Sequence, residues 1–88
     1  MIIRTAIIKN SVGLHARPAA LFVRTCSKYR SDIFIEKGGQ EVNAKSIMGI
    51  MALGVYPGEE VKITVNGIDE EAAINDIIDL IENRLEKQ

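Results

Sequence analysis

Residues 60–65, Glu-Val-Lys-Ile-Thr-Val, alternate between polar and apolar side chains over the length of a strand. Successive side chains of a strand point to opposite faces, so Val61, Ile63 and Val65 share one face. A strand with one apolar face is typical of an antiparallel sheet that is covered on one side. The stretch therefore predicts a sheet with helices packed on a single face.

Three more strands are predicted on the N-terminal side of this stretch. Residues 2–9 are rich in β-branched residues, and residues 32–37 and 40–43 are bounded by turn residues. Gly38-Gly39 separates the last two runs and predicts a hairpin. Together with residues 60–65, these runs give a sheet of four strands.

Two helices are predicted between the strands. Residues 16–27 place five small or apolar side chains near one face, namely Ala19, Ala20, Phe22, Val23 and Cys26. Ser46 is the predicted N-cap of a short helix over residues 46–53, and Gly54 suits its C-terminal end. The intervening Gly49 lowers helix propensity, and close packing against a neighbour would explain its presence.

A third helix is predicted at the C-terminal end, with Asp69 as its N-cap. Its apolar stripe has helical spacing and consists of Ile74, Ile77, Ile78, Ile81 and Leu85. Its acidic residues predict a solvated face, and they include Asp76, Asp79 and Glu82. Arg84 and Lys87 suit its C-terminal end, where the helix dipole favours cations.

The predicted element order is β-α-β-β-α-β-α, in a single domain that spans residues 1–88. The predicted fold class is α+β, with a four-stranded, mostly antiparallel sheet that carries three helices on one face. A chain of this length folds alone, although its core is modest.

Composition excludes several classes of function. The formal net charge is -1, from 11 basic and 12 acidic residues, so direct binding to nucleic acid or a membrane surface has no support. Cys26 is the only cysteine, which excludes an internal disulfide and a zinc–thiolate cluster, and we expect no metal or cofactor. The chain has neither a signal-peptide pattern nor an apolar run long enough to span a membrane, so we expect a cytoplasmic protein. We also expect the protein to be a monomer.

The only histidine lies in residues 13–20, Gly-Leu-His-Ala-Arg-Pro-Ala-Ala. Pro18 is favoured in a first helical turn, which places His15 at a helix N-terminus. Free backbone N–H groups and the helix dipole favour an anion there. A neutral imidazole offers a nucleophilic nitrogen, and the Arg17 guanidinium would neutralise phosphoryl oxygens. The segment predicts a histidine that carries a phosphoryl group, and the alternative is a capping histidine beside a surface arginine.

Ser46 allows two interpretations as well. A lone serine at this position is an ordinary N-cap, but a phosphate here would also meet the favourable end of the helix dipole. The helix that it caps is apolar all round, so some of its residues must face solvent or a partner, and methionine suits adaptable binding surfaces. Ile50 and Leu53 are the residues of this helix for which a place in the core is the more reasonable interpretation.

The two segments together resemble the HPr family, the histidine phosphocarriers of the bacterial phosphoenolpyruvate:sugar phosphotransferase system. Residues 13–19 are similar to the active-site signature of the family, and residues 43–51 to its regulatory-serine signature in Gram-positive bacteria. The resemblance covers essentially the whole chain and implies an open-faced β-sandwich. It also implies that His15 accepts a phosphoryl group on Nδ1 from enzyme I and passes it to enzyme IIA, with Arg17 stabilising the phosphate. A carrier of this kind is not itself an enzyme.

The resemblance further implies regulation at Ser46. The HPr kinase/phosphorylase would phosphorylate this serine, and the product would act as corepressor with the catabolite control protein. The implied docking patch for partners comprises Ala16, Ala20, Ile47, Met48 and Met51. Val12 departs from the family, where a polar residue is common, and puts one supporting contact to the phosphate in doubt.

Three other functions remain to be compared with this one. A purely regulatory HPr-like module would keep Ser46 but lack the histidine, so His15 with Arg17 argues against it. A carrier in a phosphorelay other than sugar uptake is not excluded by the sequence. A small-molecule-binding domain of the ACT type has a similar β-α-β-β-α-β core, but the third helix and the histidine segment argue against it.

Overall fold

The computed structural model of the protein describes residues 1–85. Four strands form one sheet, and they are β1 (Ile2–Ile7), β2 (Asp32–Lys37), β3 (Gln40–Asn43) and β4 (Glu60–Asn66). Three helices follow the predicted order, namely α1 (Ala16–Ser27), α2 (Ile47–Leu53) and α3 (Glu70–Asp79). A π-helical turn, Leu80–Arg84, continues directly from α3. The open-faced α+β architecture predicted from the sequence is confirmed.

The sheet is antiparallel throughout, with the strand order β1-β4-β2-β3. β4 is therefore an inner strand, and its Ile63 lies opposite Arg4 of β1 and Ile35 of β2. The buried side chains of β4 are Val61, Ile63 and Val65, as its alternation predicted. β1 ends at Ile7, two residues before the predicted end, because Ile8 bonds instead to the loop residues Gly58 and Glu59.

The helices cover one face of the sheet and share a single core with it. Phe22 of α1, Ile50 of α2 and Ile74 of α3 are each at most 1% exposed. In the C-terminal stripe, four of the predicted residues are buried, namely Ile74, Ile77, Ile81 and Leu85. Ile78 is partly buried. The placement of Ala20 on the core face of α1 was wrong, because this residue is exposed.

Two acidic side chains near the C-terminal helix differ from their predicted roles. Asp69 is the N-cap residue of α3 by position, but its carboxylate makes no capping hydrogen bond. It instead accepts hydrogen bonds from the backbone N–H groups of Arg30 and Ser31, at 2.8 and 3.0 Å, and from the Ser31 hydroxyl at 2.5 Å. These bonds join the start of α3 to the connection between α1 and β2.

Asp76 is only partly exposed, so the prediction that it belongs to a solvated face was wrong. Its carboxylate accepts a hydrogen bond from the Tyr29 hydroxyl at 2.5 Å and pairs with Lys28 at 3.3 Å. Arg84 also donates to this carboxylate and to the Asp76 carbonyl. Arg84 thus lies against the end of α3, as predicted, while Lys87 lies outside the described residues.

Candidate functional site

His15 is the N-cap residue of α1 and has extended backbone angles, φ -129° and ψ 158°. The Ala19 N–H donates to its carbonyl at 3.4 Å, which closes the first helical turn. Ala16 has φ 52°, which is the left-handed conformation that a residue with a Cβ rarely adopts. The N–H groups of a first helical turn have no partner inside the helix, and Pro18 contributes none. The backbone beside His15 therefore presents donors to any anion bound there.

Hydrogen bonds from Asn10 and to the loop over residues 54–59 hold this segment in place. The Asn10 side chain donates to the Gly13 carbonyl at 2.9 Å, and the Leu14 N–H donates to the Val55 carbonyl at 2.9 Å. Gly13 has φ 73°, and a Cβ on it would lie 2.4 Å from the Val55 oxygen. Only glycine allows the loop over residues 54–59 to approach the histidine segment this closely.

The imidazole of His15 is oriented without a hydrogen bond. Among residues 1–85, its buried Nε2 has no hydrogen-bond partner, and its side chain makes no capping bond to α1. Because Nε2 is shielded from solvent, Nδ1 is the ring nitrogen that remains for reaction with an incoming electrophile. The ring of Tyr56 packs against the imidazole, with 4.9 Å between ring centroids and a tilt of 41°. Sequence reasoning missed Tyr56, because only the fold brings its loop beside His15.

Arg17 is exposed and takes part in no ion pair within residues 1–85. No carboxylate of residues 1–85 therefore competes with an incoming anion for the guanidinium. A shallow pocket lies beside it, lined by Asn10, Ser11, Val12, Ala16, Arg17, Pro18 and Leu85. Val12 contributes an apolar side chain to this pocket, where a polar residue would offer a hydrogen bond.

Ser46 caps α2, as predicted, and its hydroxyl oxygen accepts a hydrogen bond from the Gly49 N–H at 3.0 Å. Gly54 ends the helix in the left-handed conformation with φ 65°. A Cβ on Gly49 would lie 3.3 Å from the Val42 Cβ, so close packing against β3 explains this glycine. The apolar residues of α2 are divided as the sequence suggested, because Ile50 and Leu53 are buried and the others are exposed.

Five exposed residues on α1 and α2 are those predicted to form a docking patch. They are Ala16 and Ala20 of α1 and Ile47, Met48 and Met51 of α2, with Met48 80% exposed. α1 and α2 pack against each other, so the five residues lie on adjoining helices, and His15 is the N-cap residue of α1. Exposed methionines at such a surface are adaptable contact groups.

Cys26 lies in the core beneath this region and is fully buried. Burial raises the pKa of its thiol to about 12, although Lys45 acts in the opposite direction and Asp76 adds to the increase. The thiol is therefore neutral near pH 7 and is not a nucleophile. Its predicted role as a small hydrophobic residue of α1 is confirmed.

Within residues 1–85, no group of three or more His, Cys, Asp or Glu side chains is arranged to hold a metal ion. The helices of this part of the chain are all too short or too polar to cross a membrane.

A small open-faced α+β domain with a histidine at a helix start defines the class of histidine phosphocarriers. The family model for the PTS HPr component phosphorylation site matches residues 2–83, and the chain belongs to the HPr family. The phosphocarrier protein HPr of Treponema pallidum is 42% identical over 88 residues and is matched over 100% of both chains. The HPr-like protein Crh of Halalkalibacterium halodurans is 48% identical over 75 residues, which cover 85% of this chain and 89% of Crh.

The crystal structure of HPr-C-His from Thermoanaerobacter tengcongensis has the same fold. It is 56% identical in sequence and superposes with a TM-score of 0.96, over 100% of this chain and 98% of the other. Membership of the HPr family supports a general phosphocarrier role, in which the protein carries a phosphoryl group between phosphotransfer partners.

Proposed function

We propose that this protein is a phosphoryl carrier of the sugar phosphotransferase system, which accepts the group from enzyme I on His15. The observation that carries the proposal is the His15 side chain at a helix start, whose Nε2 is buried, which leaves Nδ1 as the nitrogen for the reaction. Arg17 is exposed beside it and unpaired within residues 1–85. The carrier acts as a cytoplasmic monomer and has no turnover of its own.

The transfer needs no cofactor. The Nδ1 lone pair of His15 attacks the phosphorus atom of the phosphorylated donor, and the bond from phosphorus to the donor breaks with its electron pair returning to the donor. Backbone N–H groups at the start of α1 and the Arg17 guanidinium stabilise charge on the phosphoryl oxygens during this step. The enzyme IIA domain then attacks the same phosphorus atom, and the released pair restores the free imidazole.

Ser46 is the proposed regulatory site on the same docking patch. Phosphorylation by the HPr kinase/phosphorylase would add about -1.5 to -2 charges at the start of α2, where the helix dipole tolerates them. The seryl-phosphorylated form then binds the catabolite control protein through Ile47, Met48 and Met51. The support for this proposal is the exposure of all three apolar side chains beside Ser46.

A regulatory binding module is the second candidate function. Its support is the Crh of H. halodurans, which is 48% identical over 75 residues, while the Treponema HPr is 42% identical over 88 residues. Such a module needs Ser46 but no phosphorylatable histidine, and a carrier in a phosphorelay other than sugar uptake needs His15. The presence of His15 with Arg17 in this chain favours a carrier over the module.

The test is phosphorylation by enzyme I with labelled phosphoenolpyruvate. We expect the unmodified protein to gain an acid-labile phosphate, and we expect His15→Ala to gain none because the nucleophile is absent. Ser46→Ala is the matched control and should label as the unmodified protein does. Acid-labile phosphate retained by His15→Ala would contradict the assignment. Exchange with a sugar-specific enzyme IIA distinguishes the sugar pathway from another relay.

A further inference from the structure

Tyr56 is 57% exposed, yet its ring packs against the imidazole of His15. The centroid separation of 4.9 Å and the tilt of 41° lie in the range in which aromatic pairs attract each other. Exposed side chains ordinarily turn between several rotamers. The contact therefore requires a reason why Tyr56 stays in one place.

Lys37 and Glu59 supply that reason. The Tyr56 N–H donates to the Glu59 carboxylate at 2.7 Å, and the Glu59 N–H donates back to the Tyr56 carbonyl at 3.2 Å. Lys37 pairs with the same carboxylate at 3.0 Å and donates to the Gly54 carbonyl at 2.7 Å. Its ammonium group lies 5.4 Å from the centre of the Tyr56 ring, within reach of a cation–π interaction.

Within the part of the chain that the structure describes, no hydrogen bond to Nε2 orients the His15 ring. A histidine that acts through one ring nitrogen is usually oriented by a hydrogen bond to the other. Here Nε2 is buried without a partner, so the side chain lacks that constraint. Of the groups described above, the Tyr56 ring is the one that packs directly on the imidazole.

We propose that Tyr56 is a positioning residue for the phosphoryl-transfer histidine. Its ring holds the imidazole with Nε2 turned inward and Nδ1 outward, and Lys37 holds the ring. This inference rests on the proposed function of His15 as the phosphoryl acceptor. Tyr56 acts by limiting the orientations of the nucleophile and contributes no atom to the reaction.

A small chemical donor tests this proposal without a protein partner. Phosphoramidate transfers its phosphoryl group when a ring nitrogen attacks phosphorus, the P–N bond breaks and ammonia leaves after taking up a proton. Because no docking surface is involved, the rate reports on the His15 site and not on partner binding. ³¹P NMR of the product distinguishes phosphate on Nδ1 from phosphate on Nε2.

We expect Tyr56→Ala and Tyr56→Leu to react roughly threefold to tenfold more slowly at Nδ1, as the loss of one aromatic contact implies. Both variants should also form a larger share of the Nε2 product. Tyr56→Phe keeps the ring and should react at the rate of the unmodified protein. The rate of Lys37→Met should lie between that of Tyr56→Ala and that of the unmodified protein. Because Tyr56 is exposed, we expect all of its variants to fold. Circular dichroism of each variant checks this.

Unchanged rate and unchanged product in both Tyr56→Ala and Tyr56→Leu would overturn the proposal. A loss in Tyr56→Phe equal to that in Tyr56→Ala would also overturn it, because the hydroxyl rather than the ring would then matter. Failure of the proposed function has a different signature, namely no acid-labile phosphate on the unmodified protein after incubation with enzyme I and phosphoenolpyruvate.

Discussion

At the scale of single residues, Gly13 decides whether the His15 segment can lie on the neighbouring loop. Its φ of 73° excludes an unstrained side chain, and a Cβ would also lie 2.4 Å from the Val55 oxygen and 3.0 Å from the Tyr56 Cα. Both obstacles are backbone atoms, which cannot turn aside as a flexible side chain would. One substitution therefore disturbs both the loop and the support of the imidazole.

We expect Gly13→Ala to lower the free energy of unfolding by about 2–5 kcal/mol, from the left-handed conformation and the overpacking together. Urea unfolding measures this loss. Gly39→Ala is the matched control, because Gly39 also has a positive φ, 84°, but has no atom within 4 Å of an added Cβ. The control should cost about 1–2 kcal/mol from conformation alone. Equal losses in the two variants would contradict the role of close approach.

The residues found from the sequence and those missed differ in how far their contacts reach along the chain. Pro18, Ser46 and Gly54 act on their own helix ends, so local rules located them. The contact of Tyr56 with His15 and the hydrogen bonds of Asp69 join segments that are distant in sequence, and no local pattern reports such contacts. The candidate nucleophile was therefore predictable, whereas the side chain that orients it was not.

At the scale of elements, strands and helices were predictable because alternation and helical spacing reflect burial on one face. The hydrogen bonds between elements were not predictable from the sequence, as those of Asp69 show. A carboxylate before a helix predicts a cap, but the N–H groups of Arg30 and Ser31 and the Ser31 hydroxyl compete for it. Charged hydrogen bonds from three donors on another segment replaced the local cap.

These hydrogen bonds, first that of the Ser31 hydroxyl and then that of the Arg30 N–H, lower the pKa of Asp69 from 3.8 to about 2. A lowered pKa in the folded state stabilises the fold above pH 3.8, and this contribution is lost as the pH falls toward 2. We therefore expect Asp69→Asn to lower the urea midpoint at pH 7. The difference from the unmodified protein should shrink between pH 4 and pH 2.

Asp32→Asn is the control for this prediction, because it removes the same charge from an exposed residue at the start of β2. Its effect on the urea midpoint should be small at every pH. A difference between Asp69→Asn and the unmodified protein that stays constant from pH 7 to pH 2 would show that the carboxylate does not stabilise the fold through its charge.

At the scale of the whole molecule, the residues that stabilise the fold lie apart from those proposed to bind partners. β4 and the inner faces of the helices form the core, while the outer sides of α1 and α2 carry the exposed residues of the proposed docking patch. His15 precedes α1 and Ser46 precedes α2, and these two helices pack against each other. One partner surface can therefore cover both residues, so a charge at Ser46 can affect transfer to His15 without any change of fold.

We expect Ser46→Asp to accept phosphate from enzyme I more slowly, by roughly tenfold at low salt, because the added anion repels an acidic partner surface that Arg17 attracts. The defect should diminish as the salt concentration rises, since screening weakens this repulsion. Ser46→Asn is the matched control, because asparagine keeps a capping side chain without the charge. Single-turnover transfer from phosphorylated enzyme I measures both variants. Transfer to Ser46→Asp at the unmodified rate in low salt would mean that the two sites act independently.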